Sequence, residues 1–158
     1  MQVRQIPMAQ LRGIIDEQLA HGEALLPVTG SSMWPLLAGG RDMVRLTRLD
    51  RRAQPGDIAL YQKEDGSYIL HRVIRLCASG VCLCCGDAQW EGEQVDEAQI
   101  IAYVTAFRRK GHWQETARSR PYRLYEHFWV HTFPARRPLL RLLRFLQRAR
   151  RGLIRGRR

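Results

Sequence analysis

Three short segments of the chain carry residue types suited to nucleophilic chemistry. Ser32 lies in a Gly-Ser-Ser-Met-Trp-Pro turn, His71 lies in a Leu-His-Arg-Val segment, and the carboxylates of Asp87 and Asp96 follow later. A serine hydroxyl is a weak nucleophile until a neighbouring base takes its proton. A neutral imidazole, with an ordinary pKa of about 6.5, can act as that base at neutral pH. A carboxylate beside the imidazole would orient it and stabilise its charged form.

Each segment taken alone also has an ordinary structural interpretation. Gly/Ser turns that run into an apolar stretch are common, and Gly-Asp is typical of turns. A single histidine in a strand is more often a surface residue or a hydrogen-bonded core residue than a catalyst. Arg72, next to this histidine, is expected to anchor its strand to a nearby carboxylate. Any chemistry therefore depends on whether the segments come together.

Taken together, the segments resemble the type I signal peptidase family over Thr29 to Val104, about half of the chain. The matching motifs, in the order of the family, are Gly30-x-Ser32-Met33-x-Pro35, Pro55-Gly56-Asp57-Ile58, His71-Arg72-Val73 and Gly86-Asp87 with the later Asp96. The resemblance is greatest to the branch that uses histidine where bacterial leader peptidases use lysine. It implies the coiled, largely antiparallel β domain that signal peptidases share with LexA-type self-cleaving proteins.

The resemblance also implies an activity, that of a serine endopeptidase acting on a protein or peptide precursor without a cofactor or metal. By position, Ser32 matches the nucleophile and His71 matches the general base. Asp87 and Asp96 match the acidic residues that orient or charge-balance the imidazole, and Asp87 is the preferred orienting residue. Backbone N–H groups around Ser32 would hold the oxyanion.

The chain departs from the family in its relation to the membrane. It has no apolar run near the roughly 20 residues that span a bilayer, and its first 21 residues lack the pattern of a secretory signal. We therefore expect a cytoplasmic protein with no transmembrane segment or signal peptide. Two alternatives to the enzyme stay open: a non-catalytic module that binds a membrane or nucleic acid, and a self-cleaving regulator.

The elements around these segments predict a mainly β, β-rich α+β fold. Residues Leu11, Ile14, Ile15 and Leu19 form one face of a short helix over 9–20. From residue 25 to about 107, short apolar segments cut by Gly, Pro and Asp are typical of antiparallel strands. The predicted strands include 43–46, 57–61, 68–74 and 100–104, with a hairpin turn at Asp65-Gly66. The four cysteines (Cys77, Cys82, Cys84 and Cys85) are expected to be small buried residues in or beside a strand.

Positive charge is concentrated in the last third of the chain. Residues 1–107 hold 10 Lys and Arg against 13 Asp and Glu, whereas residues 108–158 hold 16 against 2. Together with the change from a helical to a strand-like pattern at residue 25, this change in charge divides the chain into three predicted parts. They are an N-terminal helix over 1–24, a catalytic β domain over 25–110 and a basic extension over 111–158. Within the extension, residues 118–138 show no steady period and are interpreted as an ordered linker or surface segment.

The end of the extension is predicted to be a basic amphipathic helix. One side carries leucines (Leu139, Leu142, Leu143, Leu146 and Leu153), and another carries arginines (Arg141, Arg144, Arg148, Arg151 and Arg155). Such a helix predicts peripheral binding to an anionic membrane, at the inner membrane face for a cytoplasmic protein. A nucleic-acid partner would use the same charges, but it is less favoured because it does not account for the leucines.

Overall fold

The computed structural model describes the backbone of residues 8–48 and 50–155, and the side chains of residues 12–48 and 50–147. Eight strands in these ranges form one antiparallel sheet, accompanied by three α-helices. The strands are β1 (Ala24–Pro27), β2 (Met43–Thr47), β3 (Ile58–Gln62), β4 (Tyr68–Leu76), β5 (Val81–Cys85), β6 (Glu93–Asp96), β7 (Ile100–Arg109) and β8 (His112–Glu115). The helices are α1 (Met8–Ala20), α2 (Arg120–His131) and α3 (Arg136–Arg155). The predicted mainly β fold class is confirmed.

The sheet has a hydrophobic core on each face. Its strand order is β1-β2-β7-β3-β4-β5-β6, and β8 pairs with β7. On the central strand β3, Ile58 and Leu60 join the core that α1 covers, whereas Ala59 and Tyr61 join a second core with Val73. Successive strand residues point to opposite faces, so the two cores lie on opposite sides of the sheet. Register shifts in the β2–β7, β3–β7 and β4–β5 pairs increase the local twist and curl the sheet.

Most elements predicted from periodicity are confirmed. The four predicted strands correspond to β2, β3, β4 and β7, and Gly66 has a φ of 83° in the turn that joins β3 to β4. The predicted N-terminal helix is α1, with Ile15 and Leu19 buried. Ile14 is 41% exposed, so the buried face is narrower than predicted; the side chain of Leu11 lies outside the described residues. The three cysteines of β5 are buried, as expected, whereas Cys77, directly after β4, is only half-buried.

The region after residue 110 differs from the prediction. The segment expected to be a linker contains α2, and β8 extends the sheet past the predicted boundary at 110. The hydroxyl of Ser119 caps α2 by accepting the N–H of Tyr122, and a proline lies in the first turn. Tyr122 and Trp129 are buried on one side of the helix. The sequence does not reveal this buried side of the helix, because the positions between Tyr122 and Trp129 mix aromatic and charged residues.

Helix α3 packs against the sheet domain through only part of its apolar surface. Leu140 is fully buried and Leu139 and Leu143 are half-buried, whereas Leu142 and Leu146 are exposed. The leucines therefore do not form the single face that was predicted. The side chains of Arg148, Arg151, Leu153 and Arg155 lie outside the described residues. None of the helices, over the ranges that the structure describes, is long and apolar enough to cross a membrane.

The central position of β3 predicts a large difference between two leucine truncations in the same sheet. Leu60 is 1% exposed, whereas Leu25 of the edge strand β1 is 44% exposed. We expect Leu60→Ala to lower the free energy of unfolding by about 2–5 kcal/mol, because it leaves a cavity in a packed core. Leu25→Ala, the matched control, is expected to change it by about 0.5 kcal/mol or less. Urea unfolding monitored by circular dichroism measures both, and equal losses would contradict the assigned core.

Candidate functional site

Ser32 lies in the turn over residues 32–36, between β1 and β2. Met33, Leu36 and Leu37 anchor this turn, because all three are buried in the core that α1 covers. The carbonyl oxygen of Met33 accepts the N–H of Leu37 at 2.9 Å. The apolar residues of the motif thus fix the turn, and Ser32 stays half-buried at its start.

The backbone of Ser32 is joined to the loop over residues 86–89, which follows β5. Its carbonyl oxygen accepts the N–H of Ala88 at 2.7 Å. The hydroxyl of Ser32 makes no hydrogen bond to any of the residues whose side chains the structure describes. The N–H groups of Ser32 and Met33 likewise have no acceptor in the described part of the chain. A hydroxyl and two adjacent N–H groups at this turn therefore have no hydrogen-bond partner among the described residues.

His71 lies on β4 directly opposite Ala59 of β3. Directly opposed residues of antiparallel strands share a face, so His71 lies on the same face of the sheet as Ala59 and Tyr61. Its next neighbour, Arg72, is turned to the opposite face. His71 is only 7% exposed.

A tyrosine and a glutamate contact the Nδ1 atom of His71. The hydroxyl oxygen of Tyr61 is 3.2 Å from Nδ1, and Oε1 of Glu93 is 3.5 Å from it. The hydroxyl of Tyr61 donates to Oε1 of Glu93, and Nζ of Lys63 donates to Oε2 at 2.7 Å. Glu93 reaches this position because it begins β6 opposite Cys84, whose side chain belongs to the core on the same face.

These hydrogen bonds assign the tautomer of the neutral imidazole. The hydroxyl hydrogen of Tyr61 is used on Glu93, so both oxygens that face Nδ1 of His71 act as acceptors there, and Nδ1 carries the ring hydrogen. Nε2 then keeps its lone pair. A Cβ atom built on Gly86 would lie 3.1 Å from this Nε2 and 2.6 Å from the carbonyl oxygen of Ser32. Glycine at position 86 therefore lets the imidazole and the Ser32 backbone approach the same Cα.

The electrostatics of the site favour a neutral imidazole beside an ionised carboxylate. Burial lowers the pKa of His71, and the negative charges of Glu93 and Asp87 oppose this shift without reversing it. Burial would raise the pKa of Glu93, but hydrogen bonds from Lys63 and Tyr61 outweigh it and lower that pKa. Burial and the bond to Glu93 raise the pKa of Tyr61, so the phenol keeps its proton.

Asp87, the preferred orienting residue in the sequence analysis, is fully buried and binds Arg72 instead of His71. Nε and Nη2 of Arg72 each donate to the carboxylate at 2.8 Å, and the hydroxyl of Tyr125 donates to it at 2.9 Å. The expectation that Arg72 anchors its strand to a carboxylate is confirmed. Asp87 is close enough to influence the charge of His71, but no hydrogen bond joins the two described side chains.

Asp96, the second candidate, lies at the exposed end of β6. Its carboxylate accepts the N–H of Ala98 at 2.8 Å and caps a short 3₁₀ turn, Glu97–Gln99. Strand alternation explains this position, because Asp96 follows Val95, which is buried in the core shared with Tyr61. The carboxylate at His71 is thus Glu93, in place of the predicted Asp87 or Asp96.

Neither Glu93 nor Tyr61 is among the site residues predicted from the sequence. Glu93 stands two residues before Val95, so the alternation of β6 places both on the same face. That pattern was readable from the sequence. The contact of Glu93 with His71 was not, since it depends on the registers of both the β4–β5 and the β5–β6 pairs.

Helices α2 and α3 hold the loop over residues 86–89 from outside the sheet. Nε1 of Trp129 donates to the carbonyl oxygen of Asp87 at 3.2 Å. Arg136, which is fully buried, donates to the carbonyl oxygens of Gly86 at 3.3 Å and Trp129 at 2.7 Å. The basic extension is therefore part of the support of the candidate site.

Comparison with known proteins does not identify a family for this chain. No family model matches it, and no curated protein matches it at a significant level of similarity. The resemblance to signal peptidases rests on the motifs themselves, and the activity that it implies remains a prediction.

The two predicted aspartates should differ strongly in their effect on stability. Asp87→Asn removes the negative charge from a fully buried ion pair and leaves the guanidinium of Arg72 without its counter-charge. We expect it to lower the free energy of unfolding by about 3–5 kcal/mol. Asp96→Asn, the control, should change it by less than about 1 kcal/mol, because asparagine also caps helical turns. Chemical denaturation measures both, and a stable Asp87→Asn variant would contradict the structural role of the pair.

The pKa of His71 should report directly on Glu93. The negative charge of Glu93 favours the imidazolium, so Glu93→Gln is expected to lower the pKa of His71 further below its ordinary value. Titration of the imidazole resonances by NMR measures this shift. Glu64→Gln, on the exposed turn next to Lys63, is the control and should leave the titration unchanged. A pKa that rises or stays constant in Glu93→Gln would show that Glu93 is not the partner of the imidazole.

Proposed function

We propose that the chain is a serine endopeptidase in which Ser32 is the nucleophile, His71 is the general base and Glu93 orients the imidazole. The observation that carries the proposal is the environment of His71. Its Nδ1 contacts Tyr61 and Glu93, whereas its Nε2 lies beside the glycine that also borders the Ser32 carbonyl. The likeness of the surrounding motifs to histidine-using signal peptidases supports the same roles.

In the proposed reaction, the hydroxyl oxygen of Ser32 attacks the carbonyl carbon of the substrate peptide bond while its proton moves to Nε2 of His71. The imidazolium gives this proton to the leaving amine, and the C–N bond breaks to leave an acyl-enzyme ester. Water, deprotonated by the same imidazole, then hydrolyses the ester and restores the serine. Binding of the substrate would bring the serine hydroxyl onto Nε2, since such contacts commonly tighten in the bound state.

The charges of the site suit these steps. The lowered pKa of His71 keeps the base neutral to a lower pH than an ordinary imidazole. Glu93, held ionised by Lys63 and Tyr61, would stabilise the imidazolium once the proton has moved. The N–H groups of Ser32 and Met33, which have no acceptor among the described residues, would hold the oxyanion of the tetrahedral intermediate.

A pair of neighbouring serines tests the proposal. Ser32→Ala is expected to lower peptide cleavage by about 10³-fold or more, because the nucleophile is lost. Ser31→Ala, the matched control on the exposed adjacent residue, should retain it. Incubation with a mixed peptide library, read by mass spectrometry, measures cleavage. A fluorophosphonate probe should label the chain at Ser32 and leave Ser32→Ala unlabelled.

Other outcomes would contradict the proposed enzyme. Cleavage at the same rate in Ser32→Ala would exclude Ser32 as the nucleophile. A folded wild-type chain that neither cleaves the library nor reacts with the probe would favour the non-catalytic binding module. Cuts confined to the chain itself, found by mass spectrometry of stored protein, would indicate a self-cleaving regulator.

A further inference from the structure

Helix α3 carries a second apolar face on the side away from the sheet domain. Leu142, Phe145 and Leu146 are 55%, 67% and 52% exposed, respectively, and recur at steps of three and four. We call these three residues the α3 stripe. The face of α3 that packs against the rest of the protein is formed by other residues, of which Leu140 is fully buried. Large apolar side chains exposed together on one helix face mark an interaction surface.

Arginines border the α3 stripe. Arg137, Arg141 and Arg144 are exposed and lie at steps of three and four on the adjacent side of the helix. No carboxylate pairs with these three arginines among the side chains that the structure describes. Arg137 and Arg144 both lie over the ring of Trp90, at 5.8 Å and 5.9 Å from its centroid. The surface thus combines an apolar strip with positive charges that have no carboxylate partner among the described side chains.

We propose that the α3 stripe and its bordering arginines bind the surface of an anionic lipid bilayer, with the helix lying in the plane of the interface. The apolar side chains would enter the boundary between headgroups and acyl chains, and the arginines would contact anionic headgroups. The proposed lipid-facing residues differ from the predicted leucine face, because Leu139 and Leu143 are half-buried and Leu140 is fully buried.

The combination of charge and apolar surface favours a bilayer over other partners. A second copy of the chain, docked through the same face, would bring two arginine borders together, and like charges repel. A nucleic acid would neutralise the arginines but leave Leu142, Phe145 and Leu146 in water. An anionic bilayer would both neutralise the arginines and bury the apolar side chains of the α3 stripe.

Membrane binding through this face would also fix the location of the candidate site. Nη2 of Arg144 donates to the carbonyl oxygen of Ala88 at 3.1 Å, and the N–H of Ala88 donates to Ser32. The lipid-binding helix therefore contacts the loop that holds Ser32. The inference does not depend on peptidase activity, since binding is measured without a substrate.

Sedimentation with lipid vesicles tests the inference. The purified chain should bind vesicles of phosphatidylcholine mixed with phosphatidylglycerol, bind vesicles of phosphatidylcholine alone much less, and lose affinity as salt is raised. The double variant Phe145→Ser, Leu146→Ser should lose about tenfold or more in affinity for the anionic vesicles. Arg141→Gln should lose about fivefold.

Matched variants elsewhere on the surface control for general effects. Leu76→Ser, at the end of β4 with the side chain 41% exposed, and Arg75→Gln, exposed on the same strand, should bind as the wild type does. Circular dichroism should give the same melting temperature for the stripe variants and the wild type, because the substituted residues are exposed. Equal binding by stripe and control variants, binding insensitive to lipid charge, or concentration-dependent dimers lost in the stripe variants would overturn the inference.

Discussion

The structure depends most on the buried ion pair between Arg72 and Asp87. Both side chains are fully excluded from solvent, which is costly unless every polar group finds a partner. Arg72 donates two bonds to the carboxylate and further bonds to the carbonyl oxygen of Gly56 and the hydroxyl of Tyr122. Hydrogen bonds of this pair therefore join strand β4 to the loop over 86–89 and to helix α2.

The position of this pair in the chain explains the geometry of the candidate site. His71 immediately precedes Arg72, and Gly86 immediately precedes Asp87. Fixing the pair therefore fixes the imidazole and the glycine against which it lies. Ala88, one residue further, holds the carbonyl oxygen of Ser32. The ion pair thus brings three distant parts of the sequence together without contacting the Ser32 hydroxyl.

Strand alternation separates two kinds of chemistry on β4. Arg72 faces α2, where aromatic rings and a counter-charge keep it buried. His71 faces the other side, where burial favours the neutral imidazole and Tyr61 and Glu93 orient it. Arg72 and His71 can therefore be consecutive residues and still interact with different carboxylates, those of Asp87 and Glu93.

The sequence by itself determined four of the strands (β2, β3, β4 and β7), the hairpin at Asp65-Gly66, helix α1 and the anchoring role of Arg72, because these follow from local periodicity, turn residues and charge. It also singled out Ser32 and His71, since their motifs lie in continuous segments. Only the tertiary structure assigned Glu93 to His71 and Asp87 to Arg72. It also divided the residues of α3 between a packed face and an exposed one. The physical reason is that register between distant strands and the docking of helices decide which side chains meet, and neither is encoded in the spacing of residues along one segment.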